Sequence, residues 1–216
     1  MTVSAKICGI STLDAAETAI AGGAAFLGFI HFARSPRHLA LNEMAGLMTS
    51  LRDRGHTVPL VSVVVDPDDE MLAVLRDQVR PDLIQLHGKE TPQRVAQIKA
   101  TTGIGLIKVI GVAEAADLDK AQAYAPYVDY LMFETKPPKD AVLPGGLGIR
   151  FDWTLMNGYR SEKPWFLAGG INAGNVAEAV ALSGARLVDA SSGVESAPGI
   201  KDPMLISSFL QAVKSL

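Results

Sequence analysis

The stretch that decides the fold is Trp165–Gly193, WFLAGGINAGNVAEAVALSGARLVDASSG. It opens on a short apolar burst, Trp165 to Gly169, and passes through a Gly-rich turn. An Ala-rich helical pattern follows over Ala173 to Leu182, then a second burst over Arg186 to Ala190 that again ends in Ser and Gly. Burst, turn, helix, burst is the signature of two parallel strands joined by a crossover helix.

The same unit repeats toward the N-terminus. Further bursts occur at Val3 to Gly9, Ala25 to His31, Pro59 to Val65, Leu83 to His87, Leu106 to Ile110 and Tyr130 to Glu134. Several are continuous rather than alternating (SVVV, LIKVI, YLMF), as in strands covered on both faces. Helical patterns separate them: Thr12 to Ala21 behind a Ser11 cap, Asn42 to Arg54, Asp68 to Val79, Thr91 to Ala100 and Glu114 to Tyr124. Asp202 to Val213 closes the chain, and only a short candidate near Phe151 to Met156 follows the sixth burst. Starts in Asp, Ser, Thr or Asn, or with Pro just inside, support these assignments. Eight such alternations predict an α/β protein, a (β/α)8 TIM barrel over residues 1–216 as one compact domain. A doubly wound open sheet is the alternative, but no GxGxxG follows the first burst. The longest non-periodic stretch, TKPPKDAVLPGGLGIR at 135–150, reads as a linker or as a binding loop or lid.

Composition limits the function classes. The 216 residues carry 20 Lys plus Arg against 23 Asp plus Glu, a net charge of −3, with no dense basic stripe. Nucleic acid is therefore not an expected partner. MTVSAKICGI lacks a charged flank before a long apolar segment, and no run of ~18 apolar residues occurs, so neither a signal peptide nor a membrane span is expected. A cytoplasmic protein is the expectation. A single cysteine excludes an intrachain disulfide and a Cys-rich zinc site.

In a barrel, catalytic groups lie at the C-terminal ends of strands. That filter selects Cys8, His31, Asp66, His87, Glu134, Gly169, Gly170 and the run Asp189 to Gly193. Lys6 and Cys8 share a face, and a Lys in a core strand demands a partner. Both are expected to point inward, with the ammonium lowering the thiol's pKa. Glu134 is the better placed carboxylate of strand six, since Asp129 lies at the strand's start; pairing with Lys136 is its plainer alternative. Gln85 and His87 share a face, serving either a satisfied interior network or a ligand. Lys108 needs an interior acid, for which Asp189 is a candidate. Gly169, Gly170 and Asn172 after strand seven, with Ser191, Ser192 and Gly193 after strand eight, fit the phosphate site that barrel enzymes build from these two loops. Arg37, in RSPR after strand two, could hold a carboxylate in a bidentate fork.

Together these residues resemble the phosphoribosylanthranilate isomerases of tryptophan biosynthesis. KICGI (Lys6 to Ile10), LGFIHFARSPRH (Leu27 to His38), IQLHGKE (Ile84 to Glu90), GGLGIRFDW (Gly145 to Trp153), AGGINAGNV (Ala168 to Val176) and VDASSGVESAPGIKD (Val188 to Asp202) carry the resemblance, in order, along nearly the whole chain. It implies an Amadori rearrangement of N-(5-phosphoribosyl)anthranilate to 1-(2-carboxyphenylamino)-1-deoxyribulose 5-phosphate, without metal or organic cofactor. It implies Cys8 as general base and Arg37 as the group meeting the anthranilate carboxylate. Substrate binding falls to Gln85, His87, Gly169, Gly170, Asn172, Asp189, Ser191, Ser192 and Gly193. The expected partner is a small phosphorylated substrate, and the expected assembly a monomer or homodimer. The chain departs from the family at MFETK, where Glu134 replaces the usual Asp as general acid, and at Leu147 within GGLG. Another phosphosugar isomerase or lyase, and a non-catalytic phosphosugar-binding relative, are the alternatives.

Overall fold

Eight parallel strands close into a barrel in chain order: β1 Ser4–Cys8, β2 Phe26–His31, β3 Leu60–Val64, β4 Leu83–Leu86, β5 Gly105–Val112, β6 Tyr130–Thr135, β7 Trp165–Leu167 and β8 Leu187–Ala190. All eight coincide with the apolar bursts. The computed structural model describes residues 2–136 and 150–216. Most of the stretch expected as a linker or lid, including Leu147, lies outside the described residues. β1 closes the barrel on β8 with Lys6 paired to Asp189 in register.

Helices cover the outside: α1 Leu13–Ala21, α2 Leu41–Asp53, α3 Asp69–Val74, α4 Pro92–Thr102, α5 Ala116–Asp119, α6 Val176–Ser183 and α7 Pro203–Lys214. Their ends follow the local chemistry. Thr91 caps α4 through Arg94 N, with Pro92 at the first helical position and Gly103 left-handed beyond the last turn. Asp202 caps α7 through Met204 N and Leu205 N. The α1 cap is Thr12 rather than Ser11, because the Thr12 hydroxyl accepts from Ala15 N.

Three helical expectations are met in altered form. The Asp68–Val79 pattern splits into α3 and a π turn, Leu75–Val79, that ends at left-handed Arg80. Glu114–Tyr124 yields only the one-turn α5, followed by 3-10 turns at Lys120–Ala123 and Ala125–Tyr127. There the buried Asp117 carboxylate accepts from Ala113 N and Glu114 N, tying down the loop end instead of continuing a helix. Phe151–Met156 is a 3-10 turn, Trp153–Met156.

Alternation along the strands separates two cores. Ile7, Leu27, Phe29, Ile84, Leu86, Leu131, Phe133 and Val188 pack outward against the helices. Phe26, Val61, Leu83, Ile107, Val109, Met132, Phe166 and Ala168 form a separate inner cluster. Phe26, Tyr130 and Phe166 stack edge-on or tilted, with centroids 5.2 to 5.7 Å apart, and plug the N-terminal half. The polar inward positions lie nearer the C-terminal mouth.

Candidate active site

The site begins at β1. Lys6 is fully buried and its Nζ donates to Asp189 Oδ1 at 2.8 Å. Burial opposes the charge, but Asp189 and Cys8 outweigh it and push the ammonium up to about 12. Asp189 is thus the partner of Lys6 and not of Lys108. Lys108 instead binds Glu90 Oε2 at 2.7 Å and the carbonyls of Gly88 and Leu86. Asp189 is next to β1 by barrel closure, whereas Glu90 lies just beyond the β4 strand that flanks Lys108.

Cys8 is buried at the inner end of β1. The sequence predicts a lowered thiol pKa, and Lys6 does act in that direction, but the net shift is upward. Burial pushes the thiol above its ordinary value, and Asp189 adds to that, while Lys6 and Lys201 only partly offset it. Gly28 makes this packing possible. A Cβ there would lie 2.8 Å from Cys8 Sγ and 3.0 Å from Lys6 Nζ.

Across the mouth, Glu134 near the end of β6 is 8% exposed. Its Oε2 lies 3.0 Å from His87 Nε2, at ion-pair distance but out of line for a hydrogen bond. Lys136 pairs with Asp117, leaving Glu134 to the barrel interior. Asp129 pairs with Lys99 at 2.8 Å on the opposite side of the barrel's length. Gln85 is buried, and its Oε1 has no hydrogen-bond partner among the described residues. An orphaned acceptor in the interior is costly without a ligand or water to meet it.

The loops after β7 and β8 form one backbone surface. Gly169 and Gly170 adopt φ of 89° and 68°, which side chains disfavour. Asn172 accepts from Gly174 N, while Asn175 accepts from Asn172 N and donates to Gly170 O. These bonds set the turn before α6. A Cβ on Gly193 would fall 2.1 Å from Ile171 O, so the two loops meet backbone to backbone only because that residue is glycine. Ser191 and Ser192 lie on this seam.

Arg37 is 5% exposed, and its Nε and Nη2 donate to the two oxygens of Glu195, each at 2.7 Å. Glu195 also accepts from Lys201 Nζ at 2.6 Å and from Gly199 N. Both partners come from a hairpin after β8, β9 Glu195–Ala197 and β10 Ile200–Lys201. Lys201 further donates to Ser191 O at 3.0 Å. Burial favours the protonated carboxyl of Glu195, but Arg37 and Lys201 hold it below the ordinary range. Sequence reading did not single out Glu195, Lys201 or Glu90. The available signal was two opposite charges flanking an APG turn in VESAPGIK.

Among the described residues no cluster of three or more His, Cys, Asp or Glu side chains is placed to hold a metal ion, and no helix is long and apolar enough to cross a membrane.

Comparison with known proteins agrees with this geometry. The family model for N-(5'-phosphoribosyl)anthranilate isomerase matches residues 5–212. An N-(5'-phosphoribosyl)anthranilate isomerase from a Caulobacter species is 55% identical over 212 residues, covering 98% of this chain and 99% of the relative. The isomerase of Rhodospirillum centenum is 50% identical over 217 residues, covering all of both. The crystal structure of the Thermotoga maritima enzyme superposes with a TM-score of 0.87 at 30% identity over all of both chains. A phosphoribosyl anthranilate isomerase in complex with reduced 1-(o-carboxyphenylamino)-1-deoxyribulose 5-phosphate superposes at 0.84 and 29%, again over all of both. The chain belongs to the N-(5'-phosphoribosyl)anthranilate isomerase family.

Proposed function

We propose that this chain isomerises N-(5-phosphoribosyl)anthranilate to 1-(2-carboxyphenylamino)-1-deoxyribulose 5-phosphate with Cys8 as general base and Glu134 as general acid. The observation that carries the assignment is their placement. One buried thiol and one buried carboxyl group stand on inward positions at the mouth of β1 and β6.

Glu134 gives its proton to the furanose oxygen, and the bond from that oxygen to the first ribose carbon breaks. The anilino nitrogen supplies the electrons and becomes an iminium. That cation acidifies the proton on the second ribose carbon. Cys8, as thiolate, takes this proton, and the electrons neutralise the iminium to an enolamine. Tautomerisation to the amino ketone completes the reaction. His87, in contact with Glu134, orients the carboxyl group. Gly169, Gly170, Ser191, Ser192 and Gly193 receive the phosphate, and Arg37 meets the anthranilate carboxylate. Gln85 turns its unpartnered oxygen to a substrate hydroxyl or a water. Asp189 acts through Lys6 rather than on the substrate. The protein works in the cytoplasm on a small phosphorylated substrate, as a monomer or a homodimer, and its balanced surface charge supports no role for nucleic acid.

Replacing Cys8 or Glu134 by Ala should lower kcat by roughly 10²- to 10⁴-fold, the usual contribution of a general acid or base. Affinity for a phosphorylated product analogue should change little. Turnover close to that of the unaltered protein in either variant overturns the assigned role.

A further inference from the structure

We infer that Glu195 and Lys201 form a positioning pair that turns one edge of the Arg37 guanidinium to the substrate's carboxylate, making this hairpin a determinant of specificity for a carboxylated aryl amine. The inference rests on Arg37 as the carboxylate-binding group.

The geometry is restrictive. A guanidinium has five N–H donors in a planar fork. Glu195 engages Nε and Nη2, the side edge. Nη1 and the second Nη2 hydrogen make up the end edge, which suits a second carboxylate in bidentate fashion. Fixing the side edge therefore fixes the plane in which that second carboxylate must lie. Lys201 in turn fixes Glu195 from the other side at 2.6 Å.

The triad also stands where the chemistry is. A Cβ on Gly9, the residue after Cys8, would lie 2.6 Å from Arg37 Cδ, 3.2 Å from Lys201 Nζ and 3.2 Å from Ser191 Oγ. The base, the carboxylate fork and the phosphate loop thus converge on one glycine. Two cations against one carboxylate leave the triad with a charge of about +1, still attractive to an anion after Glu195 is paired. Arg37, Glu195 and Lys201 side chains are 5%, 3% and 2% exposed. Burying three charges costs desolvation energy that an apolar hairpin contact would avoid, so fold stability alone does not call for them.

The test measures Kd by calorimetry for two ligands. One is reduced 1-(2-carboxyphenylamino)-1-deoxyribulose 5-phosphate; the other is the same compound without its carboxyl group. In Glu195→Gln and Lys201→Gln, affinity for the carboxylated ligand should fall by about 10- to 100-fold, the scale of a misplaced polar contact. Affinity for the other ligand should hold in Glu195→Gln and fall less than that for the carboxylated ligand in Lys201→Gln, whose ammonium also donates to Ser191 O; KM should rise more than kcat falls. Equal weakening of both ligands, or tighter binding of the carboxylated ligand by Glu195→Gln, overturns the inference. Arg37→Ala separates the two levels. If the unaltered protein binds both ligands alike, the role of Arg37 falls and the inference with it. If Arg37→Ala loses the preference while both hairpin variants keep it, the inference alone falls. Should Glu195→Gln not fold, Lys201→Gln carries the same comparison.

Discussion

The proposed mechanism asks Cys8 to act as a base, while burial holds its thiol above the ordinary range. At neutral pH the thiolate is then the minor form, and kcat/KM should climb with pH as that fraction grows. Its neighbours set where the climb ends. Lys6 lowers the thiol's pKa and Asp189 raises it. Lys6→Met should therefore move the alkaline limb to higher pH, and Asp189→Asn to lower pH, in pH–rate profiles of the folded variants. Shifts of the same sign in both would contradict this reading. Either variant strands one buried charge, so each should also lose about 3–5 kcal/mol of stability. Glu134 calls for a separate test. Glu134→Asp installs the residue expected from the family resemblance but withdraws the carboxyl group by one methylene from His87. On this backbone it should lower kcat by up to roughly 10²-fold. That Lys6 would be paired was legible, because an ammonium in a core strand needs a partner; the same rule holds for Lys108, which finds Glu90 on the helix side. The Lys6 partner 183 residues away was not legible, since closure of β1 on β8 is invisible to local pattern. The Arg37–Glu195 pair, 158 residues apart, escaped for the same reason.

The strands were readable because continuous apolar runs have few other uses, and the capped helices because Thr91, Asp202 and their prolines act locally. The fifth helix was not. The Ala-rich run AADLDKAQA over 115–123 looks helical until Asp117 turns to the backbone of Ala113 and Glu114. Burial works against that carboxylate, but Lys120 and the two backbone N–H groups hold it at about 2, against an ordinary 3.8. A depressed carboxylate stabilises the fold above its unfolded pKa and ceases to do so as pH falls through the folded one. Asp117→Asn should thus be less stable in denaturant melts at pH 6, with the difference closing between pH 3.8 and about 2. A difference that persists at pH 2 would point to packing instead of charge. The seam between the β7 and β8 loops carries a second prediction. Gly193→Ala places a methyl on Ile171 O, where only backbone can give way, so phosphate-ligand affinity should drop sharply while α6 and α7 remain folded by circular dichroism.

The whole barrel divides its labour along its length. Three aromatic rings close the N-terminal half, and the mouth collects the ionic pairs Lys6–Asp189 and Arg37–Glu195–Lys201, while Lys108–Glu90 lies on the helix-facing side of β5, beside Tyr124. The two mouth pairs join side chains far apart in sequence, and the inward positions at the ends of β1 and β6 carry the thiol and the carboxyl group. At this scale the chain should restore growth without tryptophan to a bacterial strain lacking the isomerase, and its Cys8→Ala variant should fail to do so when expressed and folded. The most direct test is a crystal structure of this protein with reduced 1-(2-carboxyphenylamino)-1-deoxyribulose 5-phosphate. Cys8 Sγ should lie within about 3.5 Å of the second ribose carbon and the Glu134 carboxyl group within hydrogen-bond distance, about 3 Å, of the oxygen that closes the furanose ring. A ligand whose ring oxygen meets another group, with Glu134 turned away, would contradict it.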